Sequence, residues 1–445
     1  MRAIMSTDPL LQPFQLRHLL LRNRLMSTAH EPAYTEDGLP KKRYRLYHAE
    51  KAKGGIALTM IGGSSVVAPD SPQAFGNILL YKDEVVRWLR ELADDVHAHG
   101  AAVMIQVTHL GRRTSWSKAD WLPVVAPSNV REPAHRAFPK IMEDWDIARV
   151  IEAYADSAER IKAAGLDGLE LECYGHLVDQ FWSLATNKRE DAYGGSLGNR
   201  MRFGLEVLSA VRKRVGQDFI VGVRMVCDED RDRGLSREEG VSIAKRLAAS
   251  GLIDFVNVIR GHIDTEKALS HVIPGMGSRS APHLDFSGEV RAATRMPTFH
   301  AARIQDVATA RHAIESGKLD MVGMTRAHLA DPHIARKVAE GREHQIRPCA
   351  GMGYCIDSIY SGEAVCVHNP ATGREATIPH IIAKSAGPTR KVVVVGAGPA
   401  GLEAARVAGE RGHEVVAFEA GAQPGGQVKV AAGLRRRREI MGIVE

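Results

Sequence analysis

Three cysteines, Cys349, Cys355 and Cys366, fall within 18 residues of one another, while Cys173 and Cys227 stand alone. Five cysteines in 445 residues are too few and too uneven for a disulfide framework. The cluster therefore reads as a metal or redox site, or as reduced thiols packed in a connector. Further on, Gly396-x-Gly398-x-x-Gly401 follows four valines and opens a helical pattern. Glycines at that spacing allow a tight turn and let backbone N–H groups and a helix N-terminus approach a pyrophosphate. Glu419, eighteen residues after Gly401, closes the next apolar run, where a carboxylate can accept from ribose hydroxyls. The bland alternative is a glycine-rich turn that only packs a helix on a strand.

Two polar residues end apolar runs earlier in the chain: Gln106 in "IQVTHLGRR" and Arg224 in "VGVRM". An amide there can pair with donor and acceptor edges of a heterocycle, and a cation can hold an anion or an electron-rich ring. A satisfied core amide and a salt-bridged arginine are the competing readings. "AARI" (301–304) and "GMTRA" (323–327) put small residues and arginines where backbone N–H groups could bind a phosphate.

The elements that must position these residues are short β-rich runs alternating with helical patterns. The runs begin at Leu25, Ile56, Ala101, Gly168, Phe219, Phe255, Pro297 and Met321, eight in all. Between them, segments such as Asp83 to Gly100 and Asp146 to Gly165 carry apolar residues at three-and-four spacing and end on glycine. Strands alternating with helices argue for a parallel sheet, and eight units fit an α/β fold of the (β/α)8 TIM-barrel type. An open doubly wound sheet is the alternative. The expected division is a barrel over 1–346, a Cys-, Gly- and Pro-rich linker over 347–388, and a Rossmann-like domain over 389–445. At 57 residues that last unit is shorter than a typical dinucleotide domain and is expected to be its incomplete beginning. In a barrel, strand C-termini carry the chemistry, so Gln106, Arg224 and the niche after strands seven and eight together fit flavin mononucleotide (FMN).

Apolar residues make up 44% and charged residues 25%, the balance of an ordinary globular protein. The net charge of +6 is slight for this length, and four cations sit in one run, Arg435 to Arg438. Nucleic acid and membrane are not expected as partners, and a cytoplasmic location is.

"NRLMSTAH" (23–30), "IQVTHLGRR", "DGLELECYGHLVDQFWSLATNKREDAYGGSLGNRMRF" (167–203), "VGVRM" and "VGMTRAHLADP" (322–332), followed by the cysteines and the glycine motif, resemble the old yellow enzyme superfamily. The likeness is to its long iron–sulfur flavoprotein branch, of the trimethylamine dehydrogenase and 2,4-dienoyl-CoA reductase type, and in wording to N-methylproline demethylases. The resemblance implies that Ser27, Thr28, Ala29 and Gly62 line an FMN, that Gln106 bonds its pyrimidine edge, and that Arg224 faces its N1 and O2 side. Ala302, Arg303, Thr325 and Arg326 would hold its phosphate, and Gly396, Gly398, Gly401 and Glu419 would bind FAD in the complete second domain. Where many relatives carry His-Gly-Tyr, this chain has Tyr174-Gly175-His176, so an imidazole stands where a phenol protonates an alkene. Tyr174 and His176 become the implied catalytic pair.

The family's 4Fe-4S cluster uses four cysteines. Cys349, Cys355 and Cys366 match three of them, and Met352 occupies the fourth position, where a thioether is a poor iron ligand. The implied activity is hydride transfer between a small-molecule substrate and FMN, foremost oxidative N-demethylation of an amine such as N-methylproline. NAD(P)H-dependent reduction of an activated alkene and a non-catalytic flavin-binding remnant are the alternatives. Electrons would pass to an electron-transfer flavoprotein or come from NAD(P)H. A homo-oligomer is compatible with the sequence.

Overall fold

The computed structural model describes residues 7–114 and 122–445. Eight strands, Leu25–Ser27 (β1), Leu58–Val66 (β2), Ala102–Thr108 (β3), Gly168–Cys173 (β4), Ile220–Val226 (β5), Phe255–Ile259 (β6), Thr298–His300 (β7) and Met321–Gly323 (β8), form a closed barrel. Every neighbouring pair is parallel, and β8 pairs with β1 to close the ring. Closure excludes the open doubly wound sheet. Strands covered on both faces need continuous apolar runs rather than alternation, and β3 is buried at every position.

Helices follow the strands: Lys42–Lys53 (α1), Val85–His97 (α2), Asp144–Ala163 (α3), Leu197–Val215 (α4), Arg237–Ala249 (α5), Leu284–Thr294 (α6), Val307–Glu315 (α7) and Thr325–Ala330 (α8). In α2 the residues Val85, Leu89, Leu92, Ala93 and Val96 recur every three or four positions and bury one face. The α2 and α3 segments run into Gly100 at φ +68° and Gly165 at φ +84°, the left-handed stop that the sequence pattern anticipates.

The two barrel ends differ. A hairpin of Phe14–Leu16 and Leu19–Leu21 packs Leu16 and Leu21 with Phe255 and Phe299, whose rings stack 4.3 Å apart, and so plugs the N-terminal end. At the other end, the β2–β3 register shifts between Ile61 and Ser65, with Gly62 at φ +64° and Ser64 at φ +69°. This bulge turns Gly63 and Ser64 toward a cavity at the strand C-termini.

Beyond the barrel, residues 347–388 are irregular apart from one short helix, Tyr354–Asp357, and one 3-10 turn, Ser358–Tyr360. Lys391–Val395 (β9) and Glu414–Phe418 (β10) then pair in parallel, joined by Pro399–Glu410 (α9). No described helix is long and apolar enough to cross a membrane.

Candidate active site at the C-terminal mouth of the barrel

The cavity is built on the alternation of β4. Glu170 and Glu172 are two apart and share a strand face, and both are buried. Glu170 is satisfied within the barrel: Gln106 Nε2 donates to it at 2.7 Å and Asn257 Nδ2 at 2.9 Å. Gln106 Oε1 in turn accepts from the Ser64 N–H at 3.3 Å, so this amide is engaged at both ends as a core amide is and stands behind the cavity wall. Glu172, one layer higher, faces the cavity. Burial pushes its carboxyl up to about 7, and Ser64, Arg224 and Tyr174 pull only partway back.

Tyr174 and His176 line the same cavity, with rings edge-on at 5.7 Å between centroids. Their turn is held by Asp179, whose carboxyl oxygens accept from the N–H of Gly175 at 2.5 Å and of His176 at 2.9 Å. Gly175 has φ +83°, and a Cβ there would sit 2.4 Å from Ile263. Burial, with Arg113 nearby, holds His176 well below its ordinary value, so the ring is neutral at pH 7.

Arg224 donates from Nη1 to the Ala29 carbonyl at 3.2 Å and lies 5.1 Å over the Tyr174 ring, while its buried Nε has no partner. Across the cavity, Ala302 at φ +101° and Arg303 at φ +57° hold consecutive left-handed conformations. Such a pair turns successive N–H groups toward one point and forms an anion cradle. Nη1 of Arg303 and Nη1 of Arg326 are buried without an acceptor. Thr28 and Thr325 bond each other there, hydroxyl to hydroxyl at 2.6 Å. A Cβ at Gly323 would fall 2.7 Å from Thr28, so the backbone here tolerates no side chain. Three guanidinium groups with unpaired buried nitrogens around one cavity, beside that cradle, fit a phosphorylated ligand.

Not every implied residue reaches the cavity. Thr28, Ala29, Arg224, Ala302, Arg303, Thr325, Arg326, Tyr174 and His176 line it. Ser27 sits behind, accepting from the buried Lys51 Nζ at 3.3 Å, and Gly62 also stands back, with Gly63 and Ser64 in front. Glu172, Gly63 and Ser64 were missed from sequence. The signal for Glu172 was present: two acids at alternate positions of a strand otherwise fit for burial.

The linker forms one wall, through Cys355, Ile356, Ile359, Tyr360 and Ala364. Cys349 Sγ accepts from Gln305 Nε2 at 3.1 Å. Burial pushes the Cys355 thiol up to about 12 and raises Cys366 as well, with Cys349 near enough to add to both shifts. Met352 is 44% exposed. Among the described residues no group of three or more His, Cys, Asp or Glu side chains is arranged to hold a metal ion. Met352, a thioether and exposed, leaves the set one strong iron ligand short of four, and no electron path through a cluster is derived.

In the second unit Gly396 adopts φ +94°, and a Cβ at Gly401 would lie 1.9 Å from the Gly396 carbonyl, so the close packing that the triplet permits is realised. Gly398 precedes α9. Glu419 accepts from the Ala397 N–H at 2.8 Å and the Gly421 N–H at 2.9 Å, which keeps its carboxyl below its ordinary value.

Residues 9–345 match the model of the NADH:flavin oxidoreductase / NADH oxidase family, and residues 394–432 match an NAD(P)-binding Rossmann-like domain. A probable N-methylproline demethylase of Rhizobium meliloti (strain 1021) is 64% identical over 442 residues, covering 99% of this chain and 65% of that protein. A multifunctional alkene reductase/demethylase of Caballeronia cordobensis is 50% identical, covering 99% of this chain and 64% of that protein. The chain thus spans just under two thirds of the length of these relatives. A solved 2-naphthoyl-CoA reductase superposes with a TM-score of 0.91 at 28% identity, covering 98% of this chain and 68% of that one.

Proposed function

The chain belongs to the NADH:flavin oxidoreductase / NADH oxidase family, and from that premise we propose that it is an FMN-dependent oxidoreductase that oxidatively demethylates a cyclic N-methyl amine of the N-methylproline kind. Arg224 would hold the flavin ring, and Arg303, Arg326, Thr325 and the Ala302 backbone its phosphate. Gln106, with one N–H on Glu170 and its oxygen accepting from Ser64, would offer the ring its second N–H. Bound FMN supplies a two-electron hydride acceptor.

The observation that carries the demethylase reading is the pairing of Glu172 with His176 in the substrate space, where a simple alkene reductase places a phenol. A methylammonium cannot release hydride from its methyl group until the nitrogen has lost its proton. Glu172, whose carboxyl loses its own proton near pH 7, is suited to take that proton, and the neutral His176 can accept a hydrogen bond without adding opposing charge. Hydride loss from the methyl group leaves an iminium, and water converts it to formaldehyde and the secondary amine. Tyr174, edge-on to His176, forms the adjoining wall. FAD in a complete second domain and an external electron carrier complete the reading.

Anaerobic mixing of FMN-loaded protein with N-methylproline tests it, and the expected result is loss of oxidised-flavin absorbance. Bleaching by NAD(P)H alone, with reoxidation by an activated alkene, replaces it with the second reading, which the 50% identical alkene reductase/demethylase favours.

A further inference from the structure

Arg113 has no part in the flavin site, yet it lines the same cavity as Tyr174 and His176. Its Cδ lies 3.8 Å from the position a Cβ would take on Gly175, the residue between those two. The side chain is nine-tenths buried, and Nη1 donates to Glu132 at 2.8 Å. Glu132, 1% exposed, lies behind the cavity wall and also accepts from His135, through its backbone N–H and, at 3.2 Å, through Nδ1. His135 lines the cavity too. One buried carboxylate thus anchors two donors that face the substrate space. Among the described residues Arg113 meets no other side-chain acceptor, so the remainder of its guanidinium is open to the cavity. The neighbouring Arg112 differs: it is spent on Asp264 and on the Val130 and Arg131 carbonyls.

We propose that Arg113, oriented by Glu132 and assisted by His135, binds the carboxylate of the substrate, so that the enzyme acts on small N-methylated amino acids in preference to simple N-methyl amines. The inference rests on the demethylase reading and deepens it. The cavity is bipolar: Glu172 and His176 attend the nitrogen, and Arg113 attends the anionic group one carbon away. Planar guanidinium and planar carboxylate match in geometry, and for a side chain nine-tenths buried such a contact discriminates against a ligand lacking the charge. His135 is a positioning residue: its Nδ1 and its backbone N–H both hold the Glu132 carboxylate that aims Arg113.

The test uses FMN-loaded protein titrated with L-proline and with L-prolinamide, in which an uncharged carboxamide replaces the carboxylate, followed by the change in flavin absorbance. Wild type is expected to bind L-proline about 10- to 100-fold more tightly. In Arg113→Met that ratio is expected to collapse toward one, and in Arg113→Lys to recover in part. Equal binding of the two ligands by wild type overturns the proposal without any variant being needed. An Arg113→Met variant that weakens both ligands equally also overturns it and assigns Arg113 a structural role. The demethylase reading fails separately, when N-methylproline does not bleach the flavin, and the ligand ratios still judge Arg113 on their own.

Discussion

Nδ1 of His176 lies 3.6 Å from Oε2 of Glu172, and neither of these buried atoms has a hydrogen-bond partner among the described residues. Two polar atoms left facing each other at that distance cost free energy in the free protein, which a substrate N–H placed between them would recover. The pair couples a carboxyl that titrates near neutrality to an imidazole that does not. A pH dependence of the chemistry near 7 is therefore assigned to Glu172, and one nearer 8 to Asp179, whose carboxyl burial pushes up to about 8 beneath the His176 turn.

The sign follows from the direction of the shift. Below about pH 7 Glu172 is protonated and cannot take a proton from a substrate ammonium, and above it the carboxylate can. The rate of flavin reduction by N-methylproline is expected to rise with pH through an inflection near 7. In Glu172→Gln that inflection disappears and the plateau falls by about 10²- to 10⁴-fold. Stopped-flow absorbance across pH 5.5 to 9 reads both, and an unchanged profile in the variant removes Glu172 from the proton path.

His176→Ala is expected to slow flavin reduction while leaving FMN content at the wild-type level, because the ring touches substrate space and none of the anion cradle. His176→Tyr restores a phenol and is expected to favour alkene reduction relative to amine oxidation. Turnover of both substrates at wild-type rates in His176→Ala would make the ring a passive wall.

Arg224→Met removes a charge-assisted donor whose Nε is buried without a partner. Such contacts are worth about 1.5 to 3 kcal/mol, so FMN affinity is expected to fall roughly 10- to 150-fold, or the flavin reduction potential to drop by the equivalent. Equilibrium titration with FMN and a spectroelectrochemical measurement distinguish the two.

Met352→Cys would complete a set of four thiolates. Iron and acid-labile sulfide per chain, measured on anaerobically purified protein, are expected to be higher in the variant than in wild type. Iron and sulfide absent from both would identify Cys349, Cys355 and Cys366 as packed thiols, and equal full occupancy would show that Met352 costs the cluster nothing.

Gly175→Ala combines an unfavourable φ of +83° with a Cβ 2.4 Å from Ile263. A loss of about 1 to 3 kcal/mol in stability is expected from the backbone alone, together with displacement of His176. A thermal unfolding scan beside the rate of flavin reduction measures both, and wild-type values for each would show that the turn relaxes freely.

Sequence pattern carried the eight parallel strand-helix units, because apolar runs separated by amphipathic segments need crossover connections, and the pairing of the last strand with the first decides for the barrel over the open sheet. It also carried the residues that stand at strand ends, such as Arg224, Thr325 and Arg326. It was off by one at Gly62, because the bulge between Ile61 and Ser65 swings the following two residues forward, and no single-chain pattern fixes a bulge. Gln106 was placed in the right strand, but its partner Glu170 lies 64 residues away, and only barrel register brings them together. Arg113 and Glu132 meet across irregular segments that lack periodicity altogether. Arg303 shows the same limit at greater range, since its Nη2 lies 2.5 Å from a Glu439 carboxylate oxygen 136 residues on.

The left-handed backbone at Ala302 and Arg303 makes ligand supply a matter of protein lifetime. Each such residue holds a conformation that costs free energy, and an anion in the cradle offsets that cost only in the folded, loaded form. Mass action then protects the loaded population from unfolding and from proteases, and leaves the empty population the more exposed of the two. The loaded protein is therefore expected to unfold at a higher temperature than the empty one, by an amount that grows with free FMN concentration.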